Sequence, residues 1–423
     1  MSDDERLKTL LPALSLGLLT AAFIIAKTGR DALFFQGRGL LQLPIAYIMM
    51  GTAALPLAMI FVKAMKIWGA RPARVGVMVL AAAVMALSAP FLSPGDSALL
   101  FNIFIFIPAS FGILFASLWL LATDIFEKTP KPEAARCFSK IGASSLGGGM
   151  AGGLIAKTLT PSLDPKWLVL LGALALLAVV ALVLYIHSRF PTNIVKEDDQ
   201  HKKPSIVTTF SNKYSRSLLL ISMLGASAGL FIDFQFYAAA TGAGMGSQGN
   251  ASFFANFYIL LNMSSLLLQL FAAHKIQDKI GLRGGLMILP VALIGGATFA
   301  TAAATALSRS VLKVTEGGLR SSVHRSIWEQ AFIPVDSGER SLVKIVVDGV
   351  GARIGEAIGA TAVFFWLMKA VPDGMTAMQL DTNWMAWVTL IIVAAWLVIT
   401  QRLRVQVRED FGETKRPPST EVE

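Results

Sequence analysis

Long apolar runs broken by short polar connections repeat along the whole chain. Reading them in order gives candidate spans near 11–36, 41–66, 74–93, 98–124, 138–158 and 167–188, then near 216–241, 252–275, 284–306, 307–334, 341–370 and 381–403. Most hold enough apolar residues for a helix to cross a hydrocarbon layer of about 30 Å, which takes about 20 residues at 1.5 Å each. The segment near 307–334 fits this pattern least, because Lys313, Glu316, Arg320, Arg325 and Glu329 interrupt it. The start, Met1-Ser-Asp-Asp-Glu-Arg6, lacks the basic region and small-residue cleavage site of a signal peptide, so a retained first helix is expected.

Charge in the connections supplies an independent check. Lys63, Lys66, Arg71 and Arg74 follow the second run. Lys128, Lys131, Arg136 and Lys140 follow the fourth, and His274, Lys275, Lys279 and Arg283 follow the eighth. The intervening connections, such as Leu92-Ser-Pro-Gly-Asp-Ser97, are nearly free of Lys and Arg. Positive charge stays on the cytoplasmic side, so this alternation predicts a multi-pass inner-membrane protein with both termini cytoplasmic. It holds to the end only if 307–334 counts as a span. The longest polar connection, 189–213, separates six runs from six. The predicted organisation is a six-helix half over 1–188, a linker over 189–213, a second half over 214–405 and a tail over 406–423. Such a layout predicts an all-α membrane protein, a major facilitator-like bundle of about 12 transmembrane helices. The loops Lys66-Ile-Trp-Gly-Ala-Arg71 and Asp278-Lys-Ile-Gly-Leu-Arg283 form a weak repeat, and the second resembles the D-[RK]-x-G-x-[RK] loop of major facilitator transporters.

Composition narrows the function classes. With 54% hydrophobic and 15% charged residues and a mean hydropathy of +0.62, the chain has too little charge to cover a soluble surface. Its net charge of +10 is scattered over short loops, which argues against a nucleic-acid-binding face. Cys137 is the single cysteine, so no intrachain disulfide is expected. His187, His201, His274 and His324 lack metal-site spacing, and no metal or cofactor is expected. Gly142-Ala-Ser-Ser-Leu-Gly147-Gly-Gly-Met-Ala-Gly152 reads as a helix-packing face. Neither Ala156-Lys-Thr158 nor Gly349-Val-Gly351-Ala-Arg-Ile-Gly355 meets the spacing of a nucleotide-binding loop, and no nucleophile–base set stands out, so no enzyme is expected.

Ionisable side chains within spans cost a few kcal/mol unless they face a partner or a cavity. Lys27, Arg30 and Asp31 share one face of the first helix. Asp233 and Gln235 lie in the seventh. Lys313, Glu316, Arg320 and His324 form a stripe on the tenth, with Arg325 and Glu329 on another face. Lys344, Asp348 and Glu356 follow a stripe on the eleventh, with Arg353 beside it. In a major facilitator layout the first, seventh and tenth helices border a central cavity, and cations there suit an anionic solute. The acids would neutralise the empty site or carry protons. The competing reading is a set of ion pairs that lock helices together, or lip residues that snorkel to the interface.

Three stretches carry a family resemblance. Ala26-Lys-Thr-Gly-Arg30-Asp31-Ala-Leu-Phe34 resembles the first-helix signature of the bacterial and plastid ATP/ADP translocases, and Glu133-Ala-Ala-Arg136-Cys-Phe-Ser-Lys-Ile-Gly142 resembles their entry to the fifth helix. The longest match, Ser326-Ile-Trp-Glu329-Gln-Ala-Phe-Ile-Pro334 followed by Lys344-Ile-Val-Val-Asp348-Gly-Val-Gly351-Ala-Arg353-Ile-Gly355, is similar to the family's KEMAYIPL and VDVVGARLGKS stretches. The resemblance implies a secondary transporter with alternating access. The family's charged positions depart from the pattern here. Its first-helix Lys becomes Arg30, its fourth-helix Glu becomes Ser117 and its eleventh-helix Lys becomes Glu356. Asp233 stands in for a further acid, and Arg320 and Arg325 replace a tenth-helix Lys and Asp. The fold therefore transfers more firmly than ATP as substrate.

The expectation is a transporter carrying an anionic small molecule, with nucleotides among the candidates and membrane lipids as surroundings. Lys27, Arg30, Gln235, Arg320 and Arg353 are expected to contact substrate. Asp31, Asp233, Glu316, Glu329, Asp348 and Glu356 are expected to couple transport or neutralise the site. The alternatives are a proton-coupled transporter of another anionic metabolite (a nucleotide derivative, a siderophore-like or a lipid-linked anion) and a non-transporting assembly or sensor protein.

Overall fold

The computed structural model describes residues 3–36, 39–94, 98–126, 131–190, 210–241, 246–332, 334–335, 343–370 and 382–412. The expected linker therefore lies largely outside the described residues, as does the tail beyond 412. Besides the short helix Arg325–Gln330, twelve α-helices run through the described residues, with no strand among them. They are α1 (Asp3–Phe34), α2 (Gly39–Trp68), α3 (Ala70–Ser88), α4 (Ala98–Phe126), α5 (Lys131–Leu159) and α6 (Pro165–Arg189). Then come α7 (Lys213–Thr241), α8 (Gly246–Leu267), α9 (Ala273–Ala302), α10 (Ala306–Leu319), α11 (Ala352–Ala370) and α12 (Asn383–Gly412). Nine of the described helices are long and apolar enough to cross a membrane.

Three helices contain wider π turns. One, Leu268–Ala272, joins α8 to α9 without a break, so the polar connection expected after the eighth run is helical. That stretch has no proline, and once a helix is nucleated each added residue gains a backbone bond. A second, Arg320–His324, carries α10 on into Arg325–Gln330, and a third, Ile345–Gly351, opens α11. Local capping explains two helix starts. At α10, Thr305 and Ser308 form a reciprocal capping box. At α6, Asp164 accepts from the Lys166 amide at 3.1 Å and Pro165 takes the first helical position.

The chain forms two compact units. The first combines 1–197 with 234–270 and 360–382; the second combines 198–233 with 271–359 and 383–423. In the first, α1 lies between α5 and α6. The backbone of Gly17 sits against Gly148, and that of Ala21 against Gly152, so any side chain at either α5 glycine would collide with α1. This is the close approach expected of the small-residue run, and apolar helices in lipid gain by it. Hydroxyls stitch the same seam: Ser144 donates to the Ala13 carbonyl at 2.7 Å, and Thr20 pairs with Ser145 at 2.7 Å. In the second unit Tyr214 donates to the Ala331 carbonyl at 2.7 Å and Ser222 to the Val347 carbonyl at 2.7 Å. Trp396, fully buried, covers Gly225.

Candidate functional site

In the first unit, α1 brings Lys27, Arg30 and Asp31 to one cluster, as their helical spacing predicts. Arg30 donates to Asp31 Oδ1 through Nε at 2.8 Å and again through Nη2, while its Nη1 donates to the Phe104 carbonyl at 3.0 Å. The Lys27 ammonium stands 3.5 Å from Asp31 Oδ2. Tyr258 donates to that same oxygen at 2.6 Å and accepts from Lys27. Tyr237, at 3.4 Å from both, is placed in the same way. Burial is nearly complete: the Arg30 and Asp31 side chains are 3% and 0% exposed, whereas Lys27 keeps 20%. Charges that deep persist only when paired and hydrogen-bonded, and Asp31 meets both conditions.

Rings close around these charges. The guanidinium of Arg30 lies 4.1 Å over the Phe104 ring and the Lys27 ammonium 4.1 Å over Tyr258, each a cation–π geometry. Phe34 stacks on Phe104 at 3.8 Å and Phe35 on Tyr237 at 4.2 Å. Gln235 is buried in the same unit. Sequence reasoning did not find Tyr237, Tyr258 or the Phe104 carbonyl. The signal was slight: four of the chain's five tyrosines fall inside apolar runs, where a phenol needs a partner, and nothing in the sequence singles out Tyr237 and Tyr258 among them.

The second unit builds a different cluster on α10. Lys313 Nζ lies 2.6 Å from Asp233 Oδ1 and 2.8 Å from Glu316 Oε2. Arg320 Nε donates to Glu316 Oε1, and Nη2 reaches the Gly225 carbonyl at 2.8 Å. The predicted stripe of charges thus holds from Lys313 to Arg320. It ends there, because the π turn inserts an extra residue and rotates the next helical turn away from the stripe. His324 instead packs among Trp328 and Trp396, with ring centroids 5.8 Å from each.

Beyond that turn the charges pair off separately. Arg325 Nη2 lies 2.6 Å from Glu329 Oε1, and Lys344 binds the other oxygen of Glu329. Asp348 accepts from Trp328 Nε1 at 2.7 Å. Arg353 meets Glu356 Oε2 at 2.7 Å. The predicted α11 stripe of Lys344, Asp348 and Glu356 is therefore divided among three different partners, and its first two members lie at or in the opening π turn. Ser117 is buried and donates to the Leu114 carbonyl at 2.9 Å. Among the described residues no group of three or more His, Cys, Asp or Glu is placed to hold a metal ion.

Residues 289–407 match the family described as TLC ATP/ADP transporter. No curated protein sequence matches the chain. Solved structures are similar across nearly all of it. A mutant of the nucleoside transporter NupG matches with a TM-score of 0.70 at 13% identity, covering 94% of this chain and 99% of that one. The POT family transporter PepTSo matches with a TM-score of 0.64 at 11% identity, covering 93% and 98%. Residues 289–407 are thus similar to the ATP/ADP transporter family, the chain has the all-α, major facilitator-like fold of these solved structures, and its long apolar helices are those of a multi-pass membrane protein.

Proposed function

We propose that this transporter carries an anionic solute by alternating access between its two six-helix halves, 1–188 and 214–405, in the inner membrane with both termini cytoplasmic. The reading rests above all on one observation: Lys27 and Arg30 converge on Asp31 in a buried, ring-lined cluster. In a low-dielectric site a second anion gains strongly from two fixed cations. Lys27, the most exposed of the three, makes the first contact, and Arg30, held by the Phe104 carbonyl, keeps Asp31 in place. Gln235, Arg320 and Arg353 supply further contacts in this reading, while Asp31, Asp233, Glu316, Glu329, Asp348 and Glu356 balance charge or couple the cycle. It has no enzymatic step and no resident cofactor.

Nucleotides remain candidate solutes through the family relation, but Ser117 and Glu356 favour a different anion over ATP. Removing an acid and reversing a base at family charge positions changes what a polyphosphate would meet. Counterflow of labelled nucleotides and other anionic metabolites into proteoliposomes tests both levels. Uptake of at least one anion is expected, and Arg30→Gln and Lys27→Gln should each reduce it at least tenfold at unchanged protein content. Uptake confined to cations or neutral solutes, or retained in both variants, overturns the assignment.

A further inference from the structure

Outside the charged clusters, the first unit carries a groove whose two ends differ in chemistry. It measures about 540 Å³ and is lined by Leu14, Gly17, Leu18 and Ala21 of α1, by Ser144 to Ile155 of α5 and by Leu182 of α6. The α5 and α6 helices both pack along α1, and the space between them is floored by the small α1 residues. Ser144 spends its hydroxyl on the Ala13 carbonyl, so the lining is almost wholly apolar. Leu14 and Ile155 are exposed at its edge, as Leu10 is just beyond. All three helices lie in predicted spans, so the medium outside such a groove is hydrocarbon.

The direction of each helix fixes what stands at the end of the groove. Thr9 meets Cys137 and Gly17 meets Gly148, so α1 and α5 run parallel. Gly172 meets Ala22 and Ala26 while Gly29 meets Pro165, so α6 runs the opposite way. Moving from the lining toward the start of α1, its stripe passes Leu14 and Leu10 to Arg6. The α5 stripe passes from Ser144 to Lys140, and the α6 stripe passes from Leu182 and Tyr185 to Arg189. Each step is three or four residues along one helix face. Arg6, Lys140 and Arg189 are all exposed, and the half-exposed Tyr185 sits one turn inside them, where interfacial aromatics belong. From Ser144 to Ile155 the groove runs about 16 Å along α5, close to the roughly 15 Å hydrocarbon depth of one leaflet.

We propose that the groove between α1, α5 and α6 is a binding site for an anionic phospholipid, with an acyl chain along Leu14, Gly17, Gly147 and Ala151 and its phosphate at the rim formed by Arg6, Lys140 and Arg189. Basic residues at a membrane surface attract anionic headgroups, and an apolar groove in register with them selects a chain-bearing ligand over a free anion. The site is independent of the transport reading.

The fill test uses Gly147, where an added side chain meets nothing within 4 Å and would project into open space. The delipidated full-length protein is titrated in detergent and followed by native mass spectrometry. The probes are phosphatidylglycerol, phosphatidylcholine with the same chains, and chain-free glycerol phosphate. Phosphatidylglycerol should bind and the other two should bind at least tenfold more weakly. Gly147→Leu should abolish that binding with the thermal midpoint unchanged, and Lys140→Gln should weaken it about fivefold. Equal binding of phosphatidylcholine, equal binding of glycerol phosphate, or undiminished binding in Gly147→Leu each overturns the proposal. Should that variant unfold, Ala151→Leu, at an exposed groove position, decides the question by the same criteria.

Discussion

The two charged clusters solve the same physical problem in different ways. In the first unit, two cations close on one carboxylate, and hydroxyls and aromatic rings complete the coordination. In the second, acids and bases alternate as Asp233, Lys313, Glu316 and Arg320, with a backbone carbonyl at the end. Removing one member of a chain leaves its neighbours another partner, whereas removing the hub of a convergent cluster takes the shared carboxylate from buried Arg30 and half-buried Lys27 together. Exposure does not separate the two, since the central acids Asp31 and Glu316 are 0% and 5% exposed while Lys27 and Asp233 each keep 20%. The first cluster is therefore the more fragile and the more tightly organised about a single anionic position.

Replacing the hub gives the largest expected effect. Asp31→Asn keeps the shape but leaves Arg30 and Lys27 without their shared carboxylate. Uncompensated buried charge typically costs about 3–5 kcal/mol, so the variant should unfold much earlier in a denaturant titration in mixed micelles. A stability within about 1 kcal/mol of the parent would mean that Asp31 is not the hub.

The corresponding change in the chain-like cluster should be milder. In Glu316→Gln, Lys313 keeps Asp233 at 2.6 Å and Arg320 keeps the Gly225 carbonyl at 2.8 Å. A loss of about 2 kcal/mol is expected, within the range for a hydrogen bond to a charged group. If Glu316→Gln proves as damaging as Asp31→Asn under the same titration, the contrast between hub and chain fails.

How far these clusters could be read from sequence depends on how local their parts are. Lys27, Arg30 and Asp31 lie within two helical turns, so spacing alone put them on one face, and Lys313 to Arg320 was legible for the same reason. Tyr258 lies 227 residues from Asp31, and no pattern along the chain ties them together. The charged helix near 307–334 was legible only through the alternation of loop charge. Its internal geometry was not, because the Arg320–His324 π turn leaves no mark on apolar periodicity, yet it decides that His324 joins the tryptophans. The resemblance near Lys344 to Gly355 marked the right segment without revealing that another π turn separates its charges.

The tyrosines sharpen the comparison on a smaller scale. Tyr258→Phe preserves the ring under the Lys27 ammonium and deletes only the hydroxyl bonded to Asp31 and Lys27. A cost of about 1–2 kcal/mol is expected, because Asp31 loses one donor and keeps its pairing to Arg30. Tyr237→Phe, removing a 3.4 Å contact, should cost less in the same titration. The reverse order would make Tyr237 the principal hydroxyl partner of Asp31.

The smallest effect should come from the pairs beyond the π turn, which resemble surface bridges more than either cluster. Arg325 is 58% exposed and Glu329 34%, and Glu329 keeps Lys344 when Arg325 is removed. An exposed pair is screened and pays side-chain entropy to hold its geometry, so Arg325→Gln should cost less than about 1 kcal/mol. It should also leave labelled-anion counterflow within twofold of the parent if Arg325 only braces α10. A large loss of counterflow at unchanged stability would move Arg325 from bracing to solute contact. The charged path would then extend past the π turn, and the stripe predicted on α10 would have been too short for a functional reason.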